Sequence, residues 1–181
     1  MNKTILLALI SVASFAVQTS AHANLVENGD FSLGATGWTI TSPNHFYSFH
    51  LNSLWDGAYV NNPDTFSQTL NTIPGQEYTL SYTFSTLNSQ PGLIFESTWG
   101  GVLEQTITTA NTNPVTYTFA NLIATSNATT LSFISGNQQF YNELTNVSVT
   151  SLVSTIPVPA SVWMFASGLL GLGTLRKKVR A

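Results

Sequence analysis

Apolar and polar residues alternate along most of this chain. Tyr78, Leu80, Tyr82 and Phe84 share one face of a run whose other face holds Thr79, Ser81 and Thr83. A period of two is the signature of a strand, whose successive side chains point to opposite faces. Val115, Tyr117 and Phe119 repeat the pattern, as do Leu131 and Phe133, and then Val147 and Val149. Pro74-Gly75, Pro91-Gly92, Gly100-Gly101 and Ser135-Gly136-Asn137 separate the runs and read as turns. No stretch before residue 158 and after the first residues keeps a helical period for long. Short strands at a spacing of about ten residues predict an all-β fold, a single antiparallel sandwich.

Two apolar runs break the alternation, one at each end. Ile5 to Val17 follows Lys3 and precedes Ala21-His22-Ala23, a small-residue cleavage site. That layout predicts a signal peptide over 1–23, removed by signal peptidase between Ala23 and Asn24. Val158 to Leu175 is 18 residues without a charge. As a helix it would be about 27 Å long, enough to cross a bilayer core of about 30 Å. Arg176, Lys177, Lys178 and Arg180 follow at once, a cluster that stays on the cytoplasmic side. The expected organisation is a signal peptide, a β domain over 24–152, and a tail over 153–181. That tail comprises a transmembrane helix at 158–175 and a basic end at 176–181. The middle is exported, to the cell surface or beyond it.

Charge narrows the partners. All five Lys and Arg lie in the terminal segments, and all eight Asp and Glu lie between them. The domain over 24–152 therefore has a net charge of −8 with His neutral. Nucleic-acid affinity rests on cations that neutralise phosphates, so DNA and RNA are excluded as partners. Neutral partners and metal cations remain. With no Cys in the chain, disulfides are excluded too, and the core alone must hold the domain.

Several stretches resemble known families. Asn24-Leu25-Val26-Glu27-Asn28-Gly29-Asp30-Phe31, followed by Gly37-Trp38, resembles the opening of galactose-binding-like jelly rolls, which include carbohydrate-binding modules. Phe66 to Leu70, Pro74 to Leu80, and Leu144 to Val149 resemble their paired and closing strands, in order. The ending resembles a PEP-CTERM sorting signal: Pro157-Val158-Pro159-Ala160, then the apolar span with Trp163, then the basic tail. It is most similar to the variant headed Val-Pro-Leu-Pro-Ala; the usual Glu between the prolines is Val158 here. This resemblance implies an exosortase as partner, cleavage near Pro157 to Pro159, and delivery to the surface or an exopolysaccharide matrix.

The jelly-roll resemblance also implies a calcium site, with acids just after the first-strand Phe and the closing-strand Leu. Ser32 and Thr145 stand there instead, so no calcium is expected at that place and no cofactor is implied. An alternative hard-cation site is the segment Asp56 to Asp64, whose Asp, Asn, Gly and Pro also suit an ordinary turn. Enzymatic readings are thin. Glu96 and Glu104 flank Gly100-Gly101, and a two-residue turn there pairs Glu96 with Gln105 and sends the acids to opposite faces. His45 and His50 also face opposite sides of one strand. Trp38, Trp99, Tyr78, Tyr82 and Tyr117 sit in strand patterns and are expected in the core. Tyr47, Trp55, Tyr59, Phe140 and Tyr141 fall in loops among Asn, Gln and Ser. Those aromatics point to a non-catalytic module that binds polysaccharide. The competing readings are a structural matrix or adhesin domain without a small ligand and, behind it, a secreted carbohydrate-active enzyme.

Overall fold

The alternating runs become strands because every second side chain finds an apolar partner across a sandwich. The computed structural model describes residues 23–43, 46–89, 91–138 and 140–152. Ala21, His45, Pro157, Pro159, Ala160, the span 158–175, Arg176, Lys177 and Lys178 lie outside the described residues. Among those described, no helix is long and apolar enough to cross a membrane.

In chain order the strands are β1 (Thr39–Thr41), β2 (Tyr47–His50), β3 (Ser53–Asp56), β4 (Asp64–Asn71) and β5 (Glu77–Thr86). Then follow β6 (Leu93–Trp99), β7 (Val102–Ile107), β8 (Val115–Ile123), β9 (Ala128–Asn137) and β10 (Asn142–Ser151). One sheet has the order β1-β4-β9-β6-β7, the other β2-β3-β10-β5-β8, and every pairing is antiparallel. The result is the expected two-sheet antiparallel sandwich.

Tyr82 of β5 sits at its centre with no exposure. Its ring meets Phe95 and Phe133 of the facing sheet at 5.7 and 5.2 Å, and Tyr117 and Phe119 of β8 at 5.5 and 5.9 Å. Aromatic pairs at such separations add attraction beyond the area they bury. The Tyr82 hydroxyl donates to Ser97 Oγ at 3.1 Å, so the one polar atom of this ring is satisfied. Burial pushes its pKa up to about 12. Tyr78, Leu80, Phe84, Leu131, Phe133, Val147, Val149, Trp38 and Trp99 are buried as their alternation predicts.

Two strands must change parity to keep their apolar residues inward. Leu144 and Val147 are three apart yet both buried, and the β10 register shifts between Thr145 and Ser148. Asn146 lies there with φ +52°, a left-handed conformation that Asn tolerates. Asn121, at φ +61°, likewise lets Leu122 of β8 follow Phe119 into the interior. Ser135-Gly136-Asn137 is not a turn, as its composition suggested, but the end of β9. Gly136 stands in the strand because a Cβ there would come within 3.0 Å of the Tyr59 carbonyl oxygen.

The opening segment forms a seam along β10. Leu25 N–H donates to Val149 O and Val147 N–H to Gly29 O, both at 2.8 Å. The Gln68 side-chain amide clasps both backbone groups of Glu27, at 2.8 and 3.0 Å. A Cβ on Gly29 would stand 1.9 Å from Val147 O. Gly29→Ala must therefore push the seam off β10, an overpacking cost of about 1–3 kcal/mol. The expected outcome is a thermal midpoint several degrees below the parent's; an unchanged midpoint would show that the segment is not seated on β10.

Candidate functional site

Of the aromatics that the sequence places in loops, Tyr59, Phe140 and Tyr141 converge at one end of the sandwich with Trp55, which belongs to β3 rather than a loop. β3 starts their arrangement. Leu54 faces the core, so Trp55 faces outward and Asp56 inward again. Trp55 lies between His50 and Tyr141, with ring centroids at 6.2 and 6.3 Å. Gly57 follows, and a Cβ there would meet the Tyr141 ring at 3.0 Å. Its bare backbone thus lets Tyr141 lie across the chain. Tyr59 is exposed and meets Phe46 edge-on at 5.9 Å. Phe46, Tyr59, Phe140 and Tyr141 are each between 38 and 46% exposed, a concentration of ring surface in water. Together with Gly57, Asn137 and Gln138 they line a shallow pocket of about 200 Å³.

Beneath this surface lies a buried polar cluster. Asp56 ends β3 in one sheet and Asp64 begins β4 in the other, and they are 1% and 0% exposed. Asp64 shares its face with Phe66 and Leu70, which is why it points into the sandwich. Ser42 donates to Asp64 Oδ2, while the Ala58 N–H reaches Asp56 Oδ1 only at 3.4 Å. Asp56 Oδ2 and Asp64 Oδ1 have no hydrogen-bond partner. Around them Asn142 Nδ2 donates to Ser135 Oγ at 3.0 Å and Asn137 Nδ2 donates to Asn142 Oδ1 at 3.1 Å. The Asn137 N–H donates to Ala58 O at 2.6 Å, fastening the loop after β3 to β9. Burial, with a smaller contribution from the neighbouring Asp64 charge, pushes the Asp56 carboxyl up to about 7.

Trp55, Tyr59, Phe140 and Tyr141 are therefore brought together, and Tyr47 is not. Tyr47 belongs to β2 and shares the inward parity of Phe49; it meets Phe49 and Phe66 edge-on, both at 5.9 Å. Phe46, Asn137 and Gln138 escaped sequence reasoning. Phe46 precedes a strand too short for its alternation to register, and Asn137 falls in a stretch whose composition reads as a turn. The Ser32 hydroxyl donates to the nearby Asp30 Oδ1 at 2.9 Å, and the Thr145 hydroxyl to Asn52 O, 93 residues away, at 2.8 Å.

The Gly100-Gly101 turn has two residues, both at positive φ, as expected. A register shift next to Glu104 then places Glu96 opposite Thr106, not Gln105. The acids still do not face each other. Glu96 is in the half-buried outer row of β6, while Glu104 lines a cleft of about 400 Å³ with Trp99, Val102 and Leu122. Burial raises the Glu104 pKa. That cleft is larger than the aromatic pocket, but its one ring, Trp99, is buried with its N–H already donated to Ile123 O. It offers a ligand no stacking face. Among the described residues no three His, Cys, Asp or Glu side chains form a metal-binding group.

Comparison with protein-family models finds no match, and neither does comparison with curated proteins. Solved structures do share the fold. A family 61 carbohydrate-binding module in complex with β-1,4-galactotriose aligns with a TM-score of 0.58 at 10% identity, covering 71% of this chain and 99% of that one. A family 22 xylan-binding domain aligns at 0.54 and 14% identity, over 74% of this chain and 99% of that one. The enzymatically active domain of bacteriophage CBA120 tailspike protein 4 aligns at 0.52 and 14% identity, over 71% of this chain but 21% of that one. The structural neighbours are thus mainly carbohydrate-binding module sandwiches, and at these identities the likeness shows the fold alone.

Asp56 sets a pH dependence whose sign is fixed. Its folded pKa of about 7 lies above the ordinary 3.8, so the folded state holds the extra proton between them. The stability it contributes is complete below the lower value and is lost as pH rises through the upper one. In buffer free of divalent cations, the thermal midpoint should fall between pH 5 and pH 8, and Asp56→Asn should flatten that fall. A parent midpoint that is level across the window would contradict the burial argument.

Proposed function

We propose that this chain is an exported, non-catalytic polysaccharide-binding protein that holds its ligand at the Phe46, Tyr59, Phe140 and Tyr141 surface. The observation that carries this reading is that surface itself: exposed rings beside the exposed Gln138 amide, at one end of a sandwich shared with carbohydrate-binding modules. The apolar faces of sugar rings stack on aromatic side chains, and their hydroxyls pair with an exposed amide such as Gln138. At about 200 Å³ the pocket is smaller than one that engulfs a whole ligand. It fits a polymer that lies across the rings and seats one unit between them. The absence of Lys and Arg from residues 4–175 favours a neutral glycan. Trp55 acts here by backing Tyr141, with its own face less open than the four rings in front.

The reading of the ends is part of the same proposal. The signal-peptide layout, the Pro157-Val158-Pro159-Ala160 head, the apolar run and the basic tail support export through signal peptidase. They equally support sorting by an exosortase, with the domain delivered to the cell surface or its exopolysaccharide.

Two measurements test it. On a glycan array, the parent should bind a polysaccharide class, and Tyr141→Ala should weaken binding by about 1–2 kcal/mol, roughly 5- to 30-fold. An array on which the parent binds nothing, while the protein is retained in the matrix, would favour the structural reading instead. Second, changing Pro157 and Pro159 to Ala lets the span's helix extend backwards through the recognition head, because Ala favours helix over Pro by about 3 kcal/mol. Unprocessed protein should then accumulate in the membrane fraction. Normal processing of this variant would reduce the tail to a plain anchor.

A further inference from the structure

We infer that Asp56 and Asp64 form a site for a divalent, oxygen-seeking cation of the calcium class, seated in the sandwich end beneath the aromatic surface. The two carboxyl groups come from different sheets, Asp56 opposite Asn142 and Asp64 opposite Ser135, and the side chains of those two partners are hydrogen-bonded to each other at 3.0 Å. They are 1% and 0% exposed, and each aims an oxygen, Asp56 Oδ2 and Asp64 Oδ1, at no donor. Buried charges are tolerated only when paired. No Lys or Arg occurs between Lys3 and Arg176, so the domain itself holds no permanent cation to pair with them. One shared proton would leave a net negative charge in the interior, facing hydroxyls and a long contact to the Ala58 N–H. One dication neutralises both carboxylates.

The donor set selects the kind of cation. Carboxylates and the hydroxyls of Ser42 and Ser135 are hard oxygen donors. The chain has no Cys, and no group of three His, Cys, Asp or Glu forms among the described residues, so a softer transition metal finds no ligands. With two charged ligands, affinity belongs in the modest range of extracellular calcium modules. The position has a consequence. Asp56 and Asp64 are the two ends of the segment that carries Tyr59, so a cation between them closes that loop on itself. The site does not depend on the polysaccharide reading, and stability reports it without any glycan.

The test uses the full chain in a mild detergent at pH 7.5, stripped with EDTA and then dialysed into metal-free buffer. CaCl2 is titrated while Trp fluorescence follows thermal unfolding, with MgCl2 and NaCl of matched ionic strength in parallel. Calcium should raise the midpoint by several degrees and saturate, and NaCl should not. Asp64→Asn should abolish the rise. Since a lone buried Asp56 can prevent folding, the double variant Asp56→Asn with Asp64→Asn is the second arm. It needs no counter-charge, and it should fold with a midpoint indifferent to calcium. Asp30→Asn, at an exposed acid in the opening segment, should keep the full response. Equal midpoints in EDTA and in millimolar calcium would overturn the site. So would a rise matched by NaCl, a rise that survives in the double variant, or one lost with Asp30→Asn.

Discussion

Face-to-face burial of one aromatic stripe is the interaction on which this domain depends. The chain has no Cys, and residues 4–175 carry no basic side chain except His, so neither disulfides nor Lys and Arg ion pairs can hold it. What remains is apolar area removed from water, at roughly 25 cal/mol per Å², together with the backbone ladders it shelters. Tyr82 shows how tightly that area is used. Its ring touches residues of both sheets, and its hydroxyl ends on Ser97, which is itself buried. The parity shifts at Asn121 and Asn146 serve the same demand. Each spends one strained residue to return an apolar side chain, Leu122 or Val147, to the stripe.

Those shifts also mark where sequence reasoning stopped. Period-two alternation is local, so Tyr78 to Phe84 and Leu131 to Phe133 could be assigned to a core face from the sequence. A bulge is decided by the partner strand, and nothing near Asn146 announces that Leu144 and Val147 will share a face. Gly136 misled for a related reason. It resembles turn chemistry, yet it is needed for the approach of the Tyr59–Val60 backbone, a contact made across 76 residues of chain. The site divides in the same way. Trp55, Tyr59, Phe140 and Tyr141 could be found because rings among polar residues are conspicuous. Tyr47 has the same composition around it but the parity of Phe49, and parity turned it inward. Asp64 could have been placed by that rule, since it stands two and six residues before Phe66 and Leu70 on a buried face.

Putting two acids at the end of an apolar core is costly in any accounting. Apolar residues of similar volume would serve the fold as well or better, because desolvating a charge takes several kcal/mol before any partner is found. The cost falls on one place, the two ends of the loop from Asp56 to Asp64. That loop is also where backbone meets β9 through the Ala58 and Asn137 contact, and where Gly57 makes room for Tyr141. Local rules of stability are broken in folded proteins mainly where something other than stability is being met. Here the two acids bound the segment that carries the exposed Tyr59. Under the proposed cation site, neutralising the acids closes the loop that carries Tyr59 and whose Gly57 lies against the Tyr141 ring. Rigid rings present their faces at a smaller entropic cost on binding than mobile ones. The charge constraint of the interior thus bears on the exposed Tyr59 through the nine residues from Asp56 to Asp64.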